Sequence, residues 1–317
     1  MGSSRALSGI QGVPVAEGVR FRIGTATVCA VRTESRDIAV HVRQQSHFLR
    51  RTLGRIPLLR GALRPLWALN DLLGGLNDSA ALEPQRAIRG KRISKRFAEL
   101  FRTHPQTLAA FGSALLLPII VACTMLGMPM LVEWLLGMVP DLPRALVNGI
   151  CCMFRMLGVV LCTFMTARLR VINRLCMYRG AMGKVLNAYE AYGEEVTHEE
   201  ALLSSRLTDR SDGAFVLAAA MLSIAAYAFV RPGTPLYGVG GRIAIFFAIC
   251  AVLNEFILPV ENARPGTTLS ELRAPLHLLQ QLFTIEPHNQ MIEVAVCAFH
   301  TARDNDLTRN RRSAEGA

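Results

Sequence analysis

Four long apolar segments separate the polar parts of the chain. The first, residues 107–128, has no charged side chain. As a helix it extends about 33 Å, enough to cross a hydrocarbon core of about 30 Å. The other three cover residues 145–167, 213–230 and 243–260. Core helices of a soluble protein are the alternative, but the first segment is too long and too uniformly apolar for that interpretation. The pattern therefore predicts four transmembrane helices.

The part before the first apolar segment contains two different patterns. Apolar and polar residues alternate over residues 13–43, and turn-forming residues interrupt the alternation, so we expect a small three-stranded sheet. Residues 48–78 instead carry leucines and Trp67 at helical spacing. Basic residues lie between them: Arg50, Arg51, Arg55, Arg60 and Arg64. Such a basic amphipathic stretch is suited to lying against anionic lipid headgroups.

Charge predicts the orientation of these helices. Residues 1–106 carry 18 Lys and Arg against 7 Asp and Glu, whereas the rest of the chain carries 17 of each. The 168–212 connection is also rich in Lys and Arg, while the connections at 129–144 and 231–242 contain few. Because Lys and Arg accumulate in cytoplasmic loops, both termini and the 168–212 connection are predicted to be cytoplasmic. A hydrophobic content of 51% and a mean hydropathy of +0.30 exclude a disordered or collagen-like chain.

These observations predict an all-α membrane protein with a small β-rich N-terminal element, about four transmembrane helices and both termini in the cytoplasm. We expect the cytosolic parts to pack together. Thr197 and Glu200 form a capping box that starts a helix in the central connection. Residues 275–299 suggest two short helices split at Pro287, and the polar tail from Asp304 onward is expected to be mobile. The predicted parts are a cytosolic β-rich element (1–47), a basic amphipathic helical segment (48–106), a first transmembrane hairpin (107–167), a cytosolic loop (168–212), a second transmembrane hairpin (213–260) and cytosolic C-terminal helices with a tail (261–317).

Several function classes find no support. The basic N-terminal part lacks interleaved aromatic residues and a recognition motif, so no nucleic acid partner is expected. The 8 cysteines include no C-x-x-C pair and the 7 histidines show no metal-ligand spacing, so the residues predict neither a disulfide framework nor a metal site. The chain has no P-loop, no G-x-G-x-x-G and no G-x-S-x-G, so neither nucleotide binding nor serine hydrolysis is predicted.

Two charged residues fall inside predicted spans. Arg155 is near the middle of the second span and Glu255 is in the fourth, which runs in the same direction. Their depths in the bilayer then differ by about 5 Å. Because an unpaired charge in hydrocarbon is costly, we expect Arg155 and Glu255 to form an intramembrane pair. A structural ion pair that sets helix register is the main interpretation; a role in moving a proton or an ion, or no pairing, are the alternatives.

Three polar residues of the central connection are catalytic candidates. Lys184, Asn187 and Glu190 follow one another at intervals of three, so a helix places them on one face. An ammonium, an amide and a carboxylate side by side could bind a polar ligand or act in acid–base chemistry. More often, such a row is a solvated or packing face, and both interpretations stay open.

Residues 168–191 resemble the signature of the YqhQ-like bacterial membrane proteins, which runs approximately Y-H-G-A-E-H-K-x-x-N-A-Y-E. The matching residues are Tyr178, Gly180, Ala181, Lys184, Asn187, Ala188, Tyr189 and Glu190. Residues 17–22 resemble the family's E-G-V-x-x-R element, and residues 56–61 resemble its I-P-x-x-R-G. Residues 280–295 resemble its Q-x-L-T-T-x-E-P and E-V-A elements. The matches keep the same order along most of the chain.

The resemblance implies a metal-dependent enzyme, the activity predicted for the family. However, Arg179, Met182 and Gly183 stand where the family has His, Glu and His, and residues 208–212 replace its H-P-R-C-G. An arginine guanidinium does not ligate metals, glycine offers no side chain, and methionine is a poor zinc ligand. A divalent metal therefore follows from the resemblance alone, and no cofactor is predicted from the residues. With the basic residues of the central connection, the resemblance gives five binding candidates: Tyr178, Tyr189, Arg206, Arg210 and Glu286.

The sequence therefore favours a multi-pass, non-catalytic protein of the bacterial cytoplasmic membrane. Its cytosolic face is expected to bind a partner protein or a lipid headgroup. One alternative is a membrane-embedded metal-dependent enzyme that uses the three catalytic candidates. A transporter is the other, and with four spans it would require a homo-oligomer.

Overall fold

The computed structural model describes residues 10–33, 37–44, 48–82, 144–168, 170–193, 195–230, 239–263 and 266–315. These residues are mostly helical, with one sheet near the N-terminus. The strands are β1 (Ile10–Val15), β2 (Gly18–Ile23), β3 (Ala26–Arg32) and β4 (Ile38–Gln44). The helices are α1 (Phe48–Leu53), α2 (Leu59–Leu82), α3 (Arg144–Arg168), α4 (Arg170–Tyr192), α5 (His198–Leu203), α6 (Asp212–Tyr227), α7 (Val239–Glu261), α8 (Thr268–Glu271), α9 (Ala274–Gln281) and α10 (Asn289–Glu315). The first predicted span, residues 107–128, lies outside the described residues.

The sheet is antiparallel with the strand order β1-β2-β3-β4, and so has one strand more than predicted. Alternation is least clear in β1, which contains Gly12 and Pro14, two residues that weaken a strand interior. Pro14 is tolerated because β1 is an edge strand, and one side of its backbone forms no hydrogen bonds with a described strand. A β-carbon at Gly12 would collide with Met182 of α4, so glycine permits this close approach.

Helices cover both faces of the sheet. One face packs against α4 and α10 in a shared core, where Phe21 of β2 contacts Phe299 of α10 edge to face, with ring centroids 5.5 Å apart. Val15, Cys29 and Val31 lie on the other face, where α2 packs. The N-terminal part, the central connection and the C-terminal helices therefore form one assembly, which confirms that these three parts pack together.

Two of the predicted spans form helices of membrane-crossing length. The residues of α3 at Leu146–Arg168 and those of α7 at Gly240–Glu261 are long and apolar enough to cross a bilayer, and described residues bury 22% of each. The third predicted span forms the apolar helix α6, which has 16 residues and is about 24 Å long. In the structure α6 packs between α3 and α7.

The parts that were predicted to be cytosolic are more helical than expected. Most of the 168–212 connection is helix, and the predicted capping box is present: Thr197 accepts from the Glu200 amide, while the Glu200 carboxylate accepts from the Thr197 amide. The tail from Asp304, which was expected to be mobile, is helical, because α10 continues to Glu315. Polarity alone suggested a loose tail, whereas this helix passes the β2–β3 turn, where Asp306 contacts Gly24.

The arginines of residues 48–78 do not form one outward basic face. Arg50 pairs with Asp71 at 2.6 Å, and Arg60 and Arg64 pair with carboxylates of α6 and α7. The prediction that this stretch lies with its basic face against headgroups is therefore corrected for these three side chains. Asp71 of the same stretch pairs with Arg50, while the partners of Arg60 and Arg64 lie far along the chain, where helical periodicity does not reveal them.

Candidate functional site

Helix α4 carries most of the predicted site residues and is approached closely by two backbone segments. A β-carbon at Gly180 would collide with the carbonyl of Ile285, and one at Gly183 would collide with the carbonyl of Arg206. The Ile285 amide also donates to the carbonyl of Cys176 at 3.3 Å. The two glycines therefore bring the segments around residues 206 and 285 directly against the helix.

Lys184 lies at the centre of this contact. Its ammonium donates to the carbonyls of Leu202 at 3.0 Å and Ser204 at 2.9 Å, and lies 2.9 Å from Glu286 Oε1. Arg206 Nη1 binds the other carboxylate oxygen of Glu286 at 3.1 Å. Desolvation opposes ionisation of Glu286, but the hydrogen bonds and charges of Lys184 and Arg206 outweigh it, so the pKa of Glu286 is lowered. Lys184, Arg206 and Glu286, all candidates from the sequence, are therefore in contact. The two backbone carbonyls and the Glu286 carboxylate match the three N–H donors of Lys184.

Asn187 lies one turn further along the same face. Its amide donates to the carbonyls of Ser205 at 2.7 Å and Leu207 at 2.6 Å, which uses both of its N–H groups. Lys184 and Asn187 together hold the end of α5 and the irregular residues that follow it, up to Leu207, onto α4. Donors used in this way favour the packing-face interpretation over the acid–base one.

The remaining candidates on and near this face are Glu190, Tyr189 and Arg210. Desolvation, and next the Asp209 carboxylate, raise the pKa of Glu190. Tyr189 packs its ring 5.1 Å from that of Phe299, inside the sheet core. Arg210 donates to Asn262 Oδ1 at 2.9 Å, beyond the end of α7.

Tyr178 lines a cavity of about 220 Å³ between the end of β3, the first half of α4 and the start of α10. The lining includes Arg32, Asn173, Arg174, Tyr178, His288 and Gln290. Tyr178 is 1% exposed. Desolvation, reinforced by the Glu17 carboxylate, raises the pKa of its phenol to about 12, so the hydroxyl stays protonated and can donate.

The cations of this cavity are held in place by neighbouring carboxylates. Arg174 pairs with Glu17, and Arg32 lies 2.5 Å from Glu293 and donates to the carbonyl of Gln290 at 3.1 Å. Because α10 begins at Asn289, the positive end of a 27-residue helix also faces the cavity. Guanidinium groups, a phenol and a helix N-terminus together suit an anionic group such as a phosphate ester.

The predicted intramembrane pair is not formed. Glu255 accepts from Arg60 Nε at 2.9 Å and from the Leu58 amide at 3.1 Å, both at the start of α2. The guanidinium of Arg155 lies 5.7 Å from the ring centroid of Tyr227 on α6. Similar depth suggested the pair, but depth does not determine which helices are neighbours, and α6 separates α3 from α7.

Sequence reasoning missed the role of Arg64. It binds Asp212 at 2.8 Å and Glu261 at 2.8 Å, and thereby connects α2 with the start of α6 and the end of α7. Its guanidinium also lies 4.4 Å from the ring centroid of Phe215. The only signal in the sequence is an arginine among leucines, one residue before Pro65.

Residues 56–305, most of the chain, match the family described as "Protein of unknown function (DUF1385)". The chain belongs to this family. It is 31% identical over 131 residues to "Uncharacterized protein YqhQ" of Bacillus subtilis (strain 168). That match covers 41% of this chain and 41% of YqhQ, so it spans less than half the length of the relative. No solved structure matches the chain. The resemblance to YqhQ-like proteins is confirmed.

At three positions where the resemblance implied metal donors, this DUF1385 chain has Arg179, Met182 and Gly183. Two of the substituted positions, 179 and 183, face the segment 206–213: a β-carbon at Gly183 would touch Thr208, and Arg179 lies against Gly213. Met182 points the other way, towards Gly12. A guanidinium, a glycine and a threonine do not form a transition-metal site. Within the described residues, no group of three or more His, Cys, Asp or Glu could hold a metal ion.

Proposed function

We propose that this DUF1385 protein is a multi-pass, non-catalytic protein of the bacterial cytoplasmic membrane whose cytosolic face binds an anionic lipid headgroup. The observation that carries the proposal is the cavity around Tyr178, with its two guanidinium groups and helix N-terminus. The proposal includes four spans with both termini in the cytoplasm.

The apolar helices support a membrane location. Four large side chains at intervals of four residues form an exposed apolar stripe along α3, which suits acyl chains rather than water: Met153, Leu157, Leu161 and Met165. The end of α3, the start of α6 and the end of α7 carry Arg168, Asp212 and Glu261, so the proposed cytosolic ends of the three helices are charged.

The position of the cavity supports a lipid ligand. Asn173, Arg174 and Tyr178 follow Arg168 by five to ten residues, so they lie at most about 15 Å beyond the proposed cytosolic end of α3. The headgroup region extends about 5–8 Å beyond each side of the hydrocarbon core, so the Arg174 end of the cavity is the part closest to it. Anionic lipids of the cytoplasmic leaflet attract basic groups at this level.

The non-catalytic part of the proposal follows from how the candidate groups are used. The N–H groups of Lys184 and Asn187 are hydrogen-bonded to backbone carbonyls, and Lys184 also pairs with Glu286. The substituted positions facing residues 206–213 supply no metal donors. The metal-dependent enzyme and the oligomeric transporter remain untested predictions, with no geometry in the described residues that favours either.

The test is lipid retention by the full chain reconstituted in nanodiscs that contain phosphatidylcholine and a minor amount of phosphatidylglycerol. Mass spectrometry of the protein extracted in mild detergent measures the phosphatidylglycerol that stays bound. We expect Arg174→Ala to lower it and Arg43→Ala to leave it unchanged. Arg43 is a matched control, since its side chain is 54% exposed and pairs with Asp78, while that of Arg174 is 53% exposed and pairs with Glu17.

Equal retention by both variants and the unsubstituted protein would overturn the headgroup proposal. Displacement of the retained lipid by inorganic phosphate alone would instead assign the cavity to a small free anion.

A protein partner is the second candidate, and the edge strand β4 favours it. Val40 and Val42 are exposed on this strand, whose outer edge pairs with no described strand. An extended peptide can add to such an edge through main-chain hydrogen bonds. A Val42→Lys substitution that abolishes co-purification of a cytosolic protein while leaving lipid retention intact would support this candidate.

A further inference from the structure

The start of α2 is packed against the middle of α7 rather than against its cytosolic end. A β-carbon at Gly61 would lie 2.6 Å from the carbonyl oxygen of Cys250 and 2.8 Å from that of Ala251, so the two backbones touch. Cys250 precedes Glu261, the last residue of α7, by eleven residues, or about 16 Å along the helix. Glu255, which binds Arg60, precedes Glu261 by about 9 Å.

Helices α1 and α2 form a hairpin whose turn lies beside the middle of α7. Further along α2, Arg64 reaches Glu261 and Asp71 pairs with Arg50 of α1. The Arg50 guanidinium also lies 5.3 Å from the ring centroid of Trp67. Helix α1 therefore lies beside the middle of α2, and residues 54–58 form the apex between them.

From these positions we infer that the α1–α2 hairpin is a re-entrant element, with its apex inserted among the acyl chains of the cytoplasmic leaflet beside α7. The inference rests on the proposed membrane crossing of α7. It adds a lipid-facing surface in a part of the chain that none of the apolar segments contains.

The amides of the apex meet one requirement for entering hydrocarbon, where each backbone N–H needs a partner within the protein. Every amide N–H from residue 54 to residue 60 is hydrogen-bonded, and Pro57 has none to satisfy. Leu58 is the decisive position. With φ at 64°, it lies in the left-handed region, and its amide donates to Glu255 Oε1 at 3.1 Å.

The side chains of the hairpin also suit acyl chains. Five large apolar residues are between 37% and 52% exposed: Ile56, Leu58, Leu59, Leu66 and Leu69. Arg60 and Arg64 are both paired with carboxylates, as charges within a bilayer require. Arg55, exposed at the apex, has an aliphatic stem that allows its charge to extend back to the headgroups.

Lipid is the favoured occupant because the exposed apolar face continues that of α7. Val252 and Phe256 are exposed on α7 at the depth of the apex. A second copy of the chain, or the apolar segment 107–128, would cover the face with protein instead. A test must therefore separate lipid, water and protein as neighbours of the apex.

Tryptophan fluorescence in bilayers makes this separation. Trp67 and Trp134 are first replaced by Phe, and single tryptophans are then introduced as Ile56→Trp at the apex, Val252→Trp on α7 and Val42→Trp on β4. Each reporter is reconstituted in vesicles with brominated phospholipids or treated with aqueous iodide. We expect brominated lipid to quench Ile56→Trp as strongly as Val252→Trp, and iodide to quench only Val42→Trp.

The outcomes distinguish the inference from the proposed function. If lipid quenches Val252→Trp while iodide quenches Ile56→Trp, α7 crosses the membrane and the re-entrant hairpin is wrong. If neither quencher reaches Ile56→Trp, protein covers the apex and the lipid contact is wrong. If lipid does not quench Val252→Trp, the proposed membrane crossing itself fails. Near-ultraviolet circular dichroism of each variant confirms that the protein remains folded.

Discussion

Arg60 and Glu255 form a bidentate ion pair, with Arg60 Nε 2.9 Å from Glu255 Oε1 and Arg60 Nη2 2.5 Å from Glu255 Oε2. The pair joins the start of α2 to α7 across 195 residues of sequence. It satisfies the carboxylate that the sequence assigned to Arg155. The identity of the partner matters because it brings an amphipathic segment to the middle of a helix that is long and apolar enough to cross a bilayer.

The first prediction concerns the energetic coupling of this pair. In a double-mutant cycle of Arg60→Ala and Glu255→Ala, we expect the effects on unfolding free energy to be non-additive by about 0.5–3 kcal/mol, because the side chains share two hydrogen bonds. Denaturant unfolding of the reconstituted protein measures the cycle. The Arg155→Ala and Glu255→Ala cycle is the control, and it should be additive because α6 lies between the two helices.

The second prediction concerns the approach of the 206 segment to α4. Gly183→Ala should lower the free energy of unfolding by about 1–3 kcal/mol, because the added methyl group collides with the Arg206 carbonyl. Gly158→Ala is the matched control in a helix, where a β-carbon meets no described atom within 4 Å. That variant should be unchanged or slightly more stable, because alanine favours helix. Equal effects from both variants would contradict the close packing.

The third prediction concerns the Asn187 hydrogen bonds. Asn187→Ala leaves the carbonyls of Ser205 and Leu207 without their donor, which should cost about 1–3 kcal/mol. Asn187→Asp should cost more, because a carboxylate oxygen then faces each carbonyl oxygen. Limited proteolysis within residues 202–207 should become faster in the same order. An aspartate variant as stable as the native protein would show that these bonds do not hold the segment.

The fourth prediction concerns pH. The pKa of Glu286 is lowered from its ordinary value of 4.5, so its ionised form stabilises the fold above pH 4.5, and that contribution disappears as pH falls through the lower folded pKa. The pKa of Glu190 is raised from 4.5, so stability is lost as pH rises through its folded pKa. At neutral pH, Glu286→Gln should therefore lower the Tm and Glu190→Gln should raise it.

Thermal unfolding of both variants from pH 3 to pH 7 measures these opposite contributions. The Glu286→Gln variant should lose the decrease in Tm below pH 4.5 that the native pair with Lys184 produces. Parallel pH profiles for both variants and the unsubstituted protein would contradict the prediction.

Local signals predicted local structure well. The Thr197 capping box forms because its two hydrogen bonds lie within four residues. Likewise, the spacing of Lys184 and Asn187 correctly placed them on one helix face. Their partners were not predictable, because they are mainly backbone carbonyls of residues 202–207, and any residue type supplies a carbonyl.

The sequence patterns could not predict which charged residues pair with each other when they are far apart along the chain. The depth of Glu255 along α7 was readable from rise per residue, but the identity of its neighbour depended on how α2 and α6 pack around α7. Arg60 and Arg64 were visible only as parts of a basic periodicity. Their carboxylate partners lie about 150 to 200 residues away in sequence, where no pairwise pattern connects them.

Helix α2 is about 36 Å long and is fastened at both ends. Its first turns hold α7 through Arg60, while near its last turn Ser79 donates to the Ala16 carbonyl at 2.8 Å and Asp78 binds Arg20 at 3.2 Å. Because α2 is anchored at both ends, we expect a change in the tilt of α7 to be passed on to the sheet. With α7 crossing the membrane as proposed, a bilayer thick or thin enough to change the angle of α7 would therefore also rotate the sheet, and with it the Arg32 side of the cavity.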